Sequence, residues 1–328
     1  MTPSLALATR VVGAAKAAIP SRDAGIPPTR VALLGTGNVG TAVLERLQRL
    51  EHRLQLVHVA NTRSASGDFD AAAVVIDATA SDAIAARHAQ WLARGIHVVT
   101  ACKLGQGTSL RRWHDIRDAA AIGGTRYGDS ATVGAGLPLL RTIRALRAGG
   151  DRIHGIAGVL SGSLAWLFDA FDGTRPFSEC VREARAAGYT EPDPRDDLSG
   201  EDVRRKLLIL ARAAGYEIES GEVRVESLAD ATDDALQARF ELARAQGMRL
   251  AYVARLHDGI ASARLEALAP GNPLAAGSAT DNRVAIRSDR YATQPLVIQG
   301  PGAGAAITAA ALLDDALACC SGACAETA

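Results

Sequence analysis

The chain has 328 residues, which is more than one hydrophobic core usually holds, so its length predicts two domains. Hydrophobic residues make up 48% and charged residues 22%, which is typical of globular proteins. Lysine plus arginine and aspartate plus glutamate each total 36, so no net charge favours binding to nucleic acid or to an anionic membrane. No apolar run approaches the roughly 20 residues of a membrane-spanning helix. We therefore expect no nucleic-acid partner and no membrane partner.

The N-terminal stretch, residues 1–29, is rich in alanine and carries several basic side chains. Its apolar run is interrupted by Arg10 and Lys16, which is not typical of a secretory signal, so we interpret it as a poorly ordered tail. The five cysteines follow no regular spacing. This pattern indicates reduced thiols and predicts a cytoplasmic protein.

A glycine-rich loop follows the first apolar run, Arg30–Leu34, which by itself fits either a buried strand or part of a helix. Apolar residues at helical spacing follow from Thr41 to Leu50. In such a unit the first glycine allows a tight turn, the second admits a pyrophosphate, and the third lets helix and strand pack closely. The alternative is a glycine-rich turn in another α/β fold, and we predict a Rossmann-type dinucleotide-binding domain over residues 30–136. The loop consists of Gly35, Thr36, Gly37, Asn38, Val39 and Gly40.

The residues after the second predicted strand, Leu54–Ala60, bear on the choice of cofactor. A domain specific for NAD usually places an acid there to bind the ribose 2′-hydroxyl. Here the strand runs into Asn61, Thr62 and Arg63, and Arg63 is placed to meet a 2′-phosphate. The pattern favours NADP(H) and still permits NAD(H). The alternative interpretation is that Arg63 is a solvated loop charge.

Two further strands are predicted at Ala72–Ile76 and Ile96–Thr100. Ligands bind outside the carboxyl ends of the strands in open parallel sheets. Thr79 and Lys103 follow these strands, and they are therefore candidates to face the nicotinamide and the substrate. Lys103 by itself is equally compatible with a surface lysine.

From about Leu137 the alternation of strands and helices stops. A linking helix is predicted at Leu139–Leu146, and the later segments alternate apolar and polar residues as half-buried strands do. We predict a second, α+β domain over residues 137–299 that binds the substrate, and its exposed sheet would account for a homodimer. The alternating segments are Leu250–Leu256, Ile260–Leu268, Val284–Ser288 and Leu296–Gln299.

The densest charge lies between Gly188 and Asp202, where carboxylates repel one another unless a cation meets them. A substrate ammonium group is a suitable cation. Two prolines stiffen the segment and are expected to block a helix there. Ser199 is a predicted N-cap with Asp202 three positions on, and a helix is predicted over Val203–Arg212.

Asp202 and Lys206 are four positions apart, so they lie on one face of that helix. One interpretation is structural: Asp202 caps the helix and forms an ordinary ion pair with the lysine. The other is functional: Asp202 holds Lys206 as a proton donor, and the apolar run Leu207–Leu210 buries the stem of the lysine. Spacing alone favours neither interpretation.

With the motifs that surround them, these residues resemble homoserine dehydrogenase, most of all the dehydrogenase part of the fused aspartokinase–homoserine dehydrogenases. The similarity runs from about Val31 to Leu317. It implies reduction of L-aspartate 4-semialdehyde to L-homoserine with NAD(P)H, a step in the biosynthesis of threonine, methionine and isoleucine. No kinase-like segment precedes Val31, so we expect neither kinase activity nor threonine inhibition through an appended domain. The matching motifs are Thr132–Pro138, Gly158–Leu164, Gly188–Gly200, Asp202–Leu207 and Gln299–Gly304.

The resemblance also implies roles for individual residues. Lys206 and Asp202 correspond to the catalytic lysine and aspartate of the family, and Lys103 to its second active-site lysine. The last segment, residues 300–328, is expected to return to the dinucleotide-binding domain, with Gly302 near the cofactor. The implied substrate-binding residues are Glu191, Asp196, Asp197 and Gly162.

Two departures from the family pattern bear on the site. Cys102 stands where the family usually has asparagine, next to the first lysine, which alters the contacts near the nicotinamide. Ser130 stands where many members carry an acid that helps to hold a monovalent cation, together with backbone carbonyls around Val133 and Ala135. The serine argues against a bound cation unless Asp129 substitutes for the acid, and no other metal site is predicted.

In the mechanism that follows, Lys206 donates a proton to the developing alkoxide and Asp202 orients the lysine, while Lys103 gives electrostatic support or is the alternative donor. Two other functions compete with this one. The chemistry of aspartate-semialdehyde dehydrogenase would need Cys102 as a nucleophile. A degenerate paralogue that binds NADPH without turnover is suggested by Cys102 and Ser130, although the lysines and acids are retained.

Overall fold

The computed structural model describes residues 27–276 and 280–320. The predicted N-terminal tail therefore lies almost wholly outside the described residues. Two six-stranded sheets, each packed with helices, make up the described part of the chain. This arrangement confirms the predicted α/β fold, in which a Rossmann-type domain is followed by an α+β domain. No helix within the two described ranges combines the length and the apolar character needed to cross a bilayer.

The central strands of the first sheet are apolar and buried on both faces, and their residues Val31 and Leu33 have no exposed surface. The strands are β1 (Thr29–Leu34), β2 (Leu54–Ala60), β3 (Ala65–Gly67), β4 (Val74–Asp77), β5 (His97–Thr100) and β6 (Tyr127–Gly128). They lie in the order β3-β2-β1-β4-β5-β6, and all are parallel except β3, which runs antiparallel to β2. Because β2 and β4 lie on opposite sides of β1, a ligand-binding crevice opens at the carboxyl ends of β1 and β4.

The loop between β1 and the first helix depends on its glycines. Gly35 has a φ of +92°, in the left-handed region that glycine tolerates. A Cβ atom on Gly40 would lie 1.9 Å from the carbonyl oxygen of Gly35, so only glycine permits this approach of helix and strand. A Cβ atom on Gly37 would meet nothing within 4 Å, which leaves open space at the start of the helix. The helices of this domain are α1 (Asn38–Leu47), α2 (Asp82–Ala85), α3 (His88–Ala93) and α4 (Leu110–Gly123).

The second sheet belongs to the second half of the chain and carries most of its helices. The helices there are α5 (Leu139–Ala148), α6 (Gly162–Ala170), α7 (Phe177–Ala186), α8 (Pro194–Leu198), α9 (Glu201–Ala213) and α10 (Asp233–Ala245), and α11 (Ala305–Cys320) follows the last strand. The strands are β7 (Ile153–Val159), β8 (Arg224–Val225), β9 (Arg249–His257), β10 (Ile260–Leu268), β11 (Asp281–Ser288) and β12 (Leu296–Pro301). Their order is β12-β11-β7-β9-β10-β8, and all neighbours are antiparallel except β8 and β10.

The main core lies between this sheet and its helices. Alternate residues of β9, from Leu250 through Tyr252 to Leu256, point into it, as the alternation in the sequence predicts. The helix α9 contributes a continuous buried run, Leu207–Ala211, from the same turns that follow Lys206. Packing on both sides therefore fixes the position and direction of α9.

Two local predictions around α8 and α9 were wrong. The prolines do not block a helix, because Pro194 lies in the first turn of α8, where a missing N–H removes no hydrogen bond. Asp193 caps that helix by accepting a hydrogen bond from the backbone N–H of Arg195. Ser199 is not the N-cap of α9, which is Gly200 with a φ of +75°. The left-handed residue is needed because it turns the chain directly from α8 into α9.

The helix α11 lies against the first domain rather than the second. Ala309, Leu312 and Leu313 pack with Val43 of α1 and with the buried strands of the first sheet. Asp315 on the same helix accepts hydrogen bonds from the backbone N–H and the hydroxyl of Ser130, at 2.9 and 2.8 Å. The chain therefore leaves the first domain after β6 and contributes to its core again through α11.

Candidate active site

An ion-paired group of three side chains lies where the two domains meet. The carboxylate of Asp202 on α9 is 2.8 Å from the ammonium nitrogen of Lys206, one helical turn further along. Its other oxygen is 3.3 Å from the ammonium nitrogen of Lys103, which stands on the loop after β5. Lys206 also donates a hydrogen bond of 2.7 Å to the carbonyl oxygen of Leu160, at the end of β7. The structure thus brings together all three sequence-predicted catalytic candidates.

The charges in this group are unequal, because two ammonium groups share one carboxylate. Burial by itself would favour the neutral acid, but Lys206 and Lys103 hold the pKa of Asp202 well below its usual range. The Lys206 side chain is 12% exposed, whereas those of Lys103 and Asp202 are 31% and 44% exposed. The group therefore presents a net positive charge to an open cleft, where it can stabilise an oxygen that becomes negative.

The identity of these two cations is informative. The chain carries 36 lysine and arginine residues, yet its lysines are Lys16, Lys103 and Lys206 alone. Two of these lysines meet on one aspartate, while arginine supplies most of the ion pairs elsewhere in the described residues and histidine supplies the others. Lysine can give up a proton within its function, whereas the guanidinium of arginine stays protonated. The scarcity of lysine was a signal in the sequence that motif analysis did not use.

Thr79 lies beside the glycine loop, with its hydroxyl turned inward. Its methyl carbon would be 3.0 Å from a Cβ atom on Gly35, so the two residues are in contact across the crevice. The hydroxyl donates to a carboxylate oxygen of Asp77 at 2.6 Å, and the backbone N–H of Thr79 donates to the same oxygen at 2.9 Å. The hydroxyl and the backbone N–H of Thr79 are therefore both bonded to Asp77, and its methyl group is the part that faces the glycine loop.

A buried polar network supports this edge of the sheet, and sequence analysis missed it. Asp77 and His88 have no exposed surface. The second carboxylate oxygen of Asp77 is 3.1 Å from both His88 Nε2 and the hydroxyl of Thr100. His88 Nδ1 is in turn 2.9 Å from the hydroxyl of Tyr127. The network ties the ends of β4, β5 and β6 together, and an aspartate that ends an otherwise apolar strand is the signal that could have revealed it.

The turn after β2 holds Arg63 at the surface. The side-chain oxygen of Asn61 accepts hydrogen bonds from the backbone N–H groups of Arg63 and Ser64, both at 2.9 Å. The side-chain nitrogen of Asn61 donates to the hydroxyl of Thr36 in the glycine loop, at 2.9 Å. Asn61 thereby fixes this turn to the glycine loop. The guanidinium of Arg63 is exposed and has no hydrogen-bond or ion-pair partner among the described residues.

The predicted substrate-binding acids lie on and just before α8, which leads directly into α9. A carboxylate oxygen of Asp197 accepts a hydrogen bond of 2.8 Å from the backbone N–H of Glu191, so it closes this loop. The side chains of Glu191 and Asp196 are exposed, and neither forms an ion pair within the described ranges. Arg195 pairs with Asp193 at 2.6 Å. Two carboxylates therefore stay available to a cation from solution.

The two predicted glycines of the site occupy different places. Gly162 is the first residue of α6, two positions after Leu160, whose carbonyl holds Lys206. It therefore borders the lysine group. Gly302 lies between β12 and α11, where a Cβ atom would be 2.0 Å from the side chain of the buried Asn282. Its packing against Asn282 explains why that position needs glycine.

The residues around the expected monovalent cation are already paired. The buried Asp129 forms two hydrogen bonds of 2.6 Å with the guanidinium of Arg144. The hydroxyl of Ser130 donates to Asp315 and accepts from Arg141 at 3.2 Å, and Arg141 donates to Asp315 at 2.8 Å. Neither position 129 nor position 130 offers an unpaired carboxylate. The side chains beside Val133 and Ala135 therefore do not fit a bound monovalent cation.

The environment of Cys102 argues against a nucleophilic thiolate. The residue is 4% exposed. Burial, together with the nearby carboxylate of Asp77, raises its pKa to about 11. A thiol needs the opposite shift to attack a carbonyl at neutral pH. The geometry therefore disfavours the acyl-transfer chemistry of an aspartate-semialdehyde dehydrogenase.

A parallel sheet of this order, with a glycine-rich loop between its first strand and helix, is typical of the dinucleotide-binding domains of oxidoreductases. Comparison with known families narrows this class. Residues 138–317 match the homoserine dehydrogenase model, and residues 65–128 match the model for the homoserine dehydrogenase NAD-binding domain. The chain therefore belongs to the homoserine dehydrogenase family.

Individual relatives agree with this assignment. The bifunctional aspartokinase/homoserine dehydrogenase 2 of Escherichia coli is 45% identical over 74% of this chain, which spans 32% of that protein. The chain thus spans about a third of the length of the bifunctional relative. The homoserine dehydrogenase of Paracoccidioides brasiliensis is 37% identical over 74% of this chain and 73% of its own length. A hyperthermophilic archaeal homoserine dehydrogenase solved with NADPH has the same fold, with a TM-score of 0.75, 21% identity, and coverage of 89% of this chain and 97% of that one.

The burial of Cys102 predicts slow alkylation. With a pKa of about 11, roughly a thousandth of the thiol is ionised at pH 8. Native protein treated with iodoacetamide at pH 8 should therefore label Cys102 far more slowly than protein unfolded in urea, as measured by peptide mass spectrometry. Equal alkylation rates in the native and unfolded states would contradict the burial and the raised pKa of Cys102, and a nucleophilic role for this thiol would again be possible.

Proposed function

We propose that the protein reduces L-aspartate 4-semialdehyde to L-homoserine with NADPH, in the biosynthesis of threonine, methionine and isoleucine. The observation that carries this proposal is the pairing of Lys103 and Lys206 on Asp202 at the carboxyl edge of the first sheet. Dinucleotides bind at this edge in sheets of this kind. Membership of the homoserine dehydrogenase family supports the same activity.

The glycine loop fits a dinucleotide. No side chain caps the start of α1, so its first N–H groups remain available to phosphate. The open space at Gly37 gives a pyrophosphate room to approach the backbone. When bound, the nicotinamide supplies the hydride that the carbonyl carbon of the substrate receives. The residues of the loop, from Gly35 to Gly40, with Thr79 and Lys103 nearby and Gly302 across the cleft, are the proposed cofactor site.

The protein provides the proton and the compensating charge. Lys206 donates a proton to the carbonyl oxygen as negative charge develops there. Asp202 and the carbonyl of Leu160 already hold the ammonium group of Lys206 in place. The lysine therefore loses little freedom when the reaction takes place. Lys103 offsets the charge on the same oxygen, or is the alternative donor. Asp202 is not consumed in either step, because it only orients the two lysines.

The α-ammonium group of the substrate has a counter-charge close to this group. Glu191 and Asp196 are exposed carboxylates next to the short helix that leads into α9. We assign the binding of the ammonium to these residues together with Asp197, which holds the backbone of Glu191. Gly162 borders the same cleft through its position after Leu160. The substrate would then lie with its acids at one end and the two lysines at the other.

NADPH is the preferred cofactor in this proposal, and NADH is the second. Arg63 is an exposed guanidinium on a turn that Asn61 fastens to the glycine loop. Such a group meets a 2′-phosphate with charge-assisted hydrogen bonds. No acid follows β2 to repel that phosphate, since Asn61 and Thr62 stand there.

We also propose a homodimer that forms through the face of the second sheet opposite its helices. On that face Glu266 of β10 accepts hydrogen bonds from Arg255 and Arg264, so its cross-strand charges are already paired. The small side chain of Ala157 lies beside them and leaves the face flat enough for close approach.

The reduced thiols of Cys102 and Cys180 support a cytoplasmic location.

The role of Lys206 is tested by Lys206→Met. General acid catalysis contributes at least roughly a hundredfold, so kcat for the reduction of L-aspartate 4-semialdehyde should fall by about that factor or more. NADPH binding, followed by fluorescence titration, should be unchanged. Wild type that binds NADPH without substrate-dependent oxidation would support the degenerate binding protein instead. Full activity in Lys206→Met together with loss of activity in Lys103→Met would transfer the proton-donor role to Lys103.

The role of Arg63 is tested by Arg63→Ala. Removal of a charge-assisted hydrogen bond should raise KM for NADPH about tenfold, which corresponds to about 1.4 kcal/mol. KM for NADH should not change, because NADH lacks the 2′-phosphate. Arg49→Ala, at the far end of α1, is the matched surface control. An equal effect on both cofactors would show that Arg63 acts on the turn rather than on the phosphate.

The pairing of Asp129 and Ser130 with arginines predicts that turnover needs no monovalent cation. Initial rates should be the same in sodium, potassium and tetramethylammonium chloride at constant ionic strength, because the guanidinium groups already balance the local carboxylates. A saturable activation by sodium or potassium that tetramethylammonium does not reproduce would contradict this expectation.

A further inference from the structure

Arg212 is a buried cation without a close ion pair, although the charge of the Glu219 carboxylate acts on it from beyond ion-pair distance. It lies on α9, beyond Lys206, and is 1% exposed. Its guanidinium donates hydrogen bonds to three backbone carbonyls: those of Thr108 and Ile218, both at 2.9 Å, and that of Gln106. No carboxylate among the described residues lies within ion-pair distance of it. The hydrogen bonds that Arg212 makes to the first domain, with Gln106 and Thr108, both go to the loop after β5.

Such a residue is costly if it serves packing alone. Burial lowers the pKa of Arg212 to about 10, so it remains a cation at neutral pH. A buried charge held only by neutral acceptors is less favourable than a well-packed apolar side chain of similar size. The neighbours of Arg212 on α9, such as Leu210 and Ala211, are of that apolar kind. The cation is therefore best explained by what its hydrogen bonds hold.

These bonds hold the loop that carries Lys103. This Lys103 loop, residues 101–109, connects β5 to α4. It is closed by a hydrogen bond of 2.7 Å from the N–H of Gly107 to the carbonyl of Lys103. The two carbonyls of this loop that Arg212 binds belong to Gln106 and Thr108, the residues on either side of Gly107. A Cβ atom on Gly107 would be 3.0 Å from the carbonyl oxygen of Arg205, so the loop lies directly on the backbone of α9. That contact is one residue before Lys206.

A second contact from the same region anchors the end of the loop. A carboxylate oxygen of Glu219 accepts a hydrogen bond of 2.7 Å from the N–H of Leu110, the first residue of α4. Arg212 binds the middle of the loop, and Glu219 binds its exit. The segment between Lys103 and α4 is thus fastened at two points, to α9 by Arg212 and to the segment that follows α9 by Glu219.

We propose that Arg212 is a positioning residue that holds the Lys103 loop on α9, so that Lys103 shares the carboxylate of Asp202 with Lys206. This inference rests on the proposed reductase function, in which both lysines face the substrate oxygen. Without Arg212 the loop relaxes away from α9 and the contact of 3.3 Å between Lys103 and Asp202 is lost. The ion pair between Lys206 and Asp202 remains, because both residues belong to α9.

The first test compares Arg212→Met with the control Arg147→Met. Arg147 donates a hydrogen bond of 3.1 Å to the carbonyl of Ala213, at the same end of α9, but makes no contact with the Lys103 loop. Arg212→Met should lower kcat about tenfold to a hundredfold, because a misplacement of about 1 Å has an effect of that size. KM for NADPH should stay the same, since the glycine loop is untouched. The control should keep the kcat of wild type.

A double variant separates positioning from general stability. If Arg212 acts through Lys103, its replacement should have little further effect on kcat in a Lys103→Met background. Independent, multiplying losses in the double variant would overturn the proposal. Should Arg212→Met fail to fold, Gly107→Ala provides a second route, because its Cβ atom would lie 3.0 Å from the Cβ atom and the carbonyl oxygen of Arg205 on α9 and would push the loop away from that helix. It should reproduce the loss of kcat, and an unchanged kcat would count against the proposal.

A readout without turnover keeps this inference distinct from the proposed function. Selective ¹⁵N-lysine labelling gives backbone amide signals from Lys16, Lys103 and Lys206 alone. In Arg212→Met the Lys103 signal should shift or broaden while the other two stay in place, and an unchanged Lys103 signal would overturn the proposal. If wild type reduces no substrate but the Lys103 signal still depends on Arg212, the proposed function fails and the positioning role stands.

Discussion

The proposed chemistry depends on the carboxylate of Asp202, where cations from the two domains meet. This carboxylate accepts Lys206 from its own helix and Lys103 from a loop of the other domain, so a single anion fixes two cations of different origin. The remaining positive charge is not neutralised by the protein and is directed at the cleft. A site of this design stabilises an oxyanion only when the domains keep their relative position, and the buried α9 provides the fixed side.

Arginine and lysine serve different tasks in this chain. Where a cation has only to bind carbonyls or carboxylates, the chain uses arginine, as at Arg144 and Arg212. At the two positions where the proposed reaction needs a cation beside the reacting oxygen, it uses lysine. The planar guanidinium suits the first task because it makes several directed hydrogen bonds, and the ammonium group suits the second because it can transfer a proton.

Local rules were sufficient for much of this structure. The glycine loop followed from a short motif between strand and helix, and the shared face of Asp202 and Lys206 followed from helical spacing. Tertiary contacts were not accessible in the same way. Nothing in the neighbourhood of Lys103 indicates that it meets Asp202, and Arg212 sits in the sequence like any arginine of an amphipathic helix. The helix at Pro194 was missed because the rule against proline was applied to a first turn, where it does not hold.

The return of α11 to the first domain affects how this protein can be made. Ala309 and Leu312 of that helix complete a core that β1 and α1 began. Chains are synthesised from the N-terminus and domains generally fold as units in that order. Here the first sheet emerges from the ribosome without one of its covering helices, and it waits for the whole second domain before its apolar face is closed. Until α11 is synthesised, the nascent chain therefore exposes apolar surface of the dinucleotide-binding domain, of the kind that chaperones protect from aggregation.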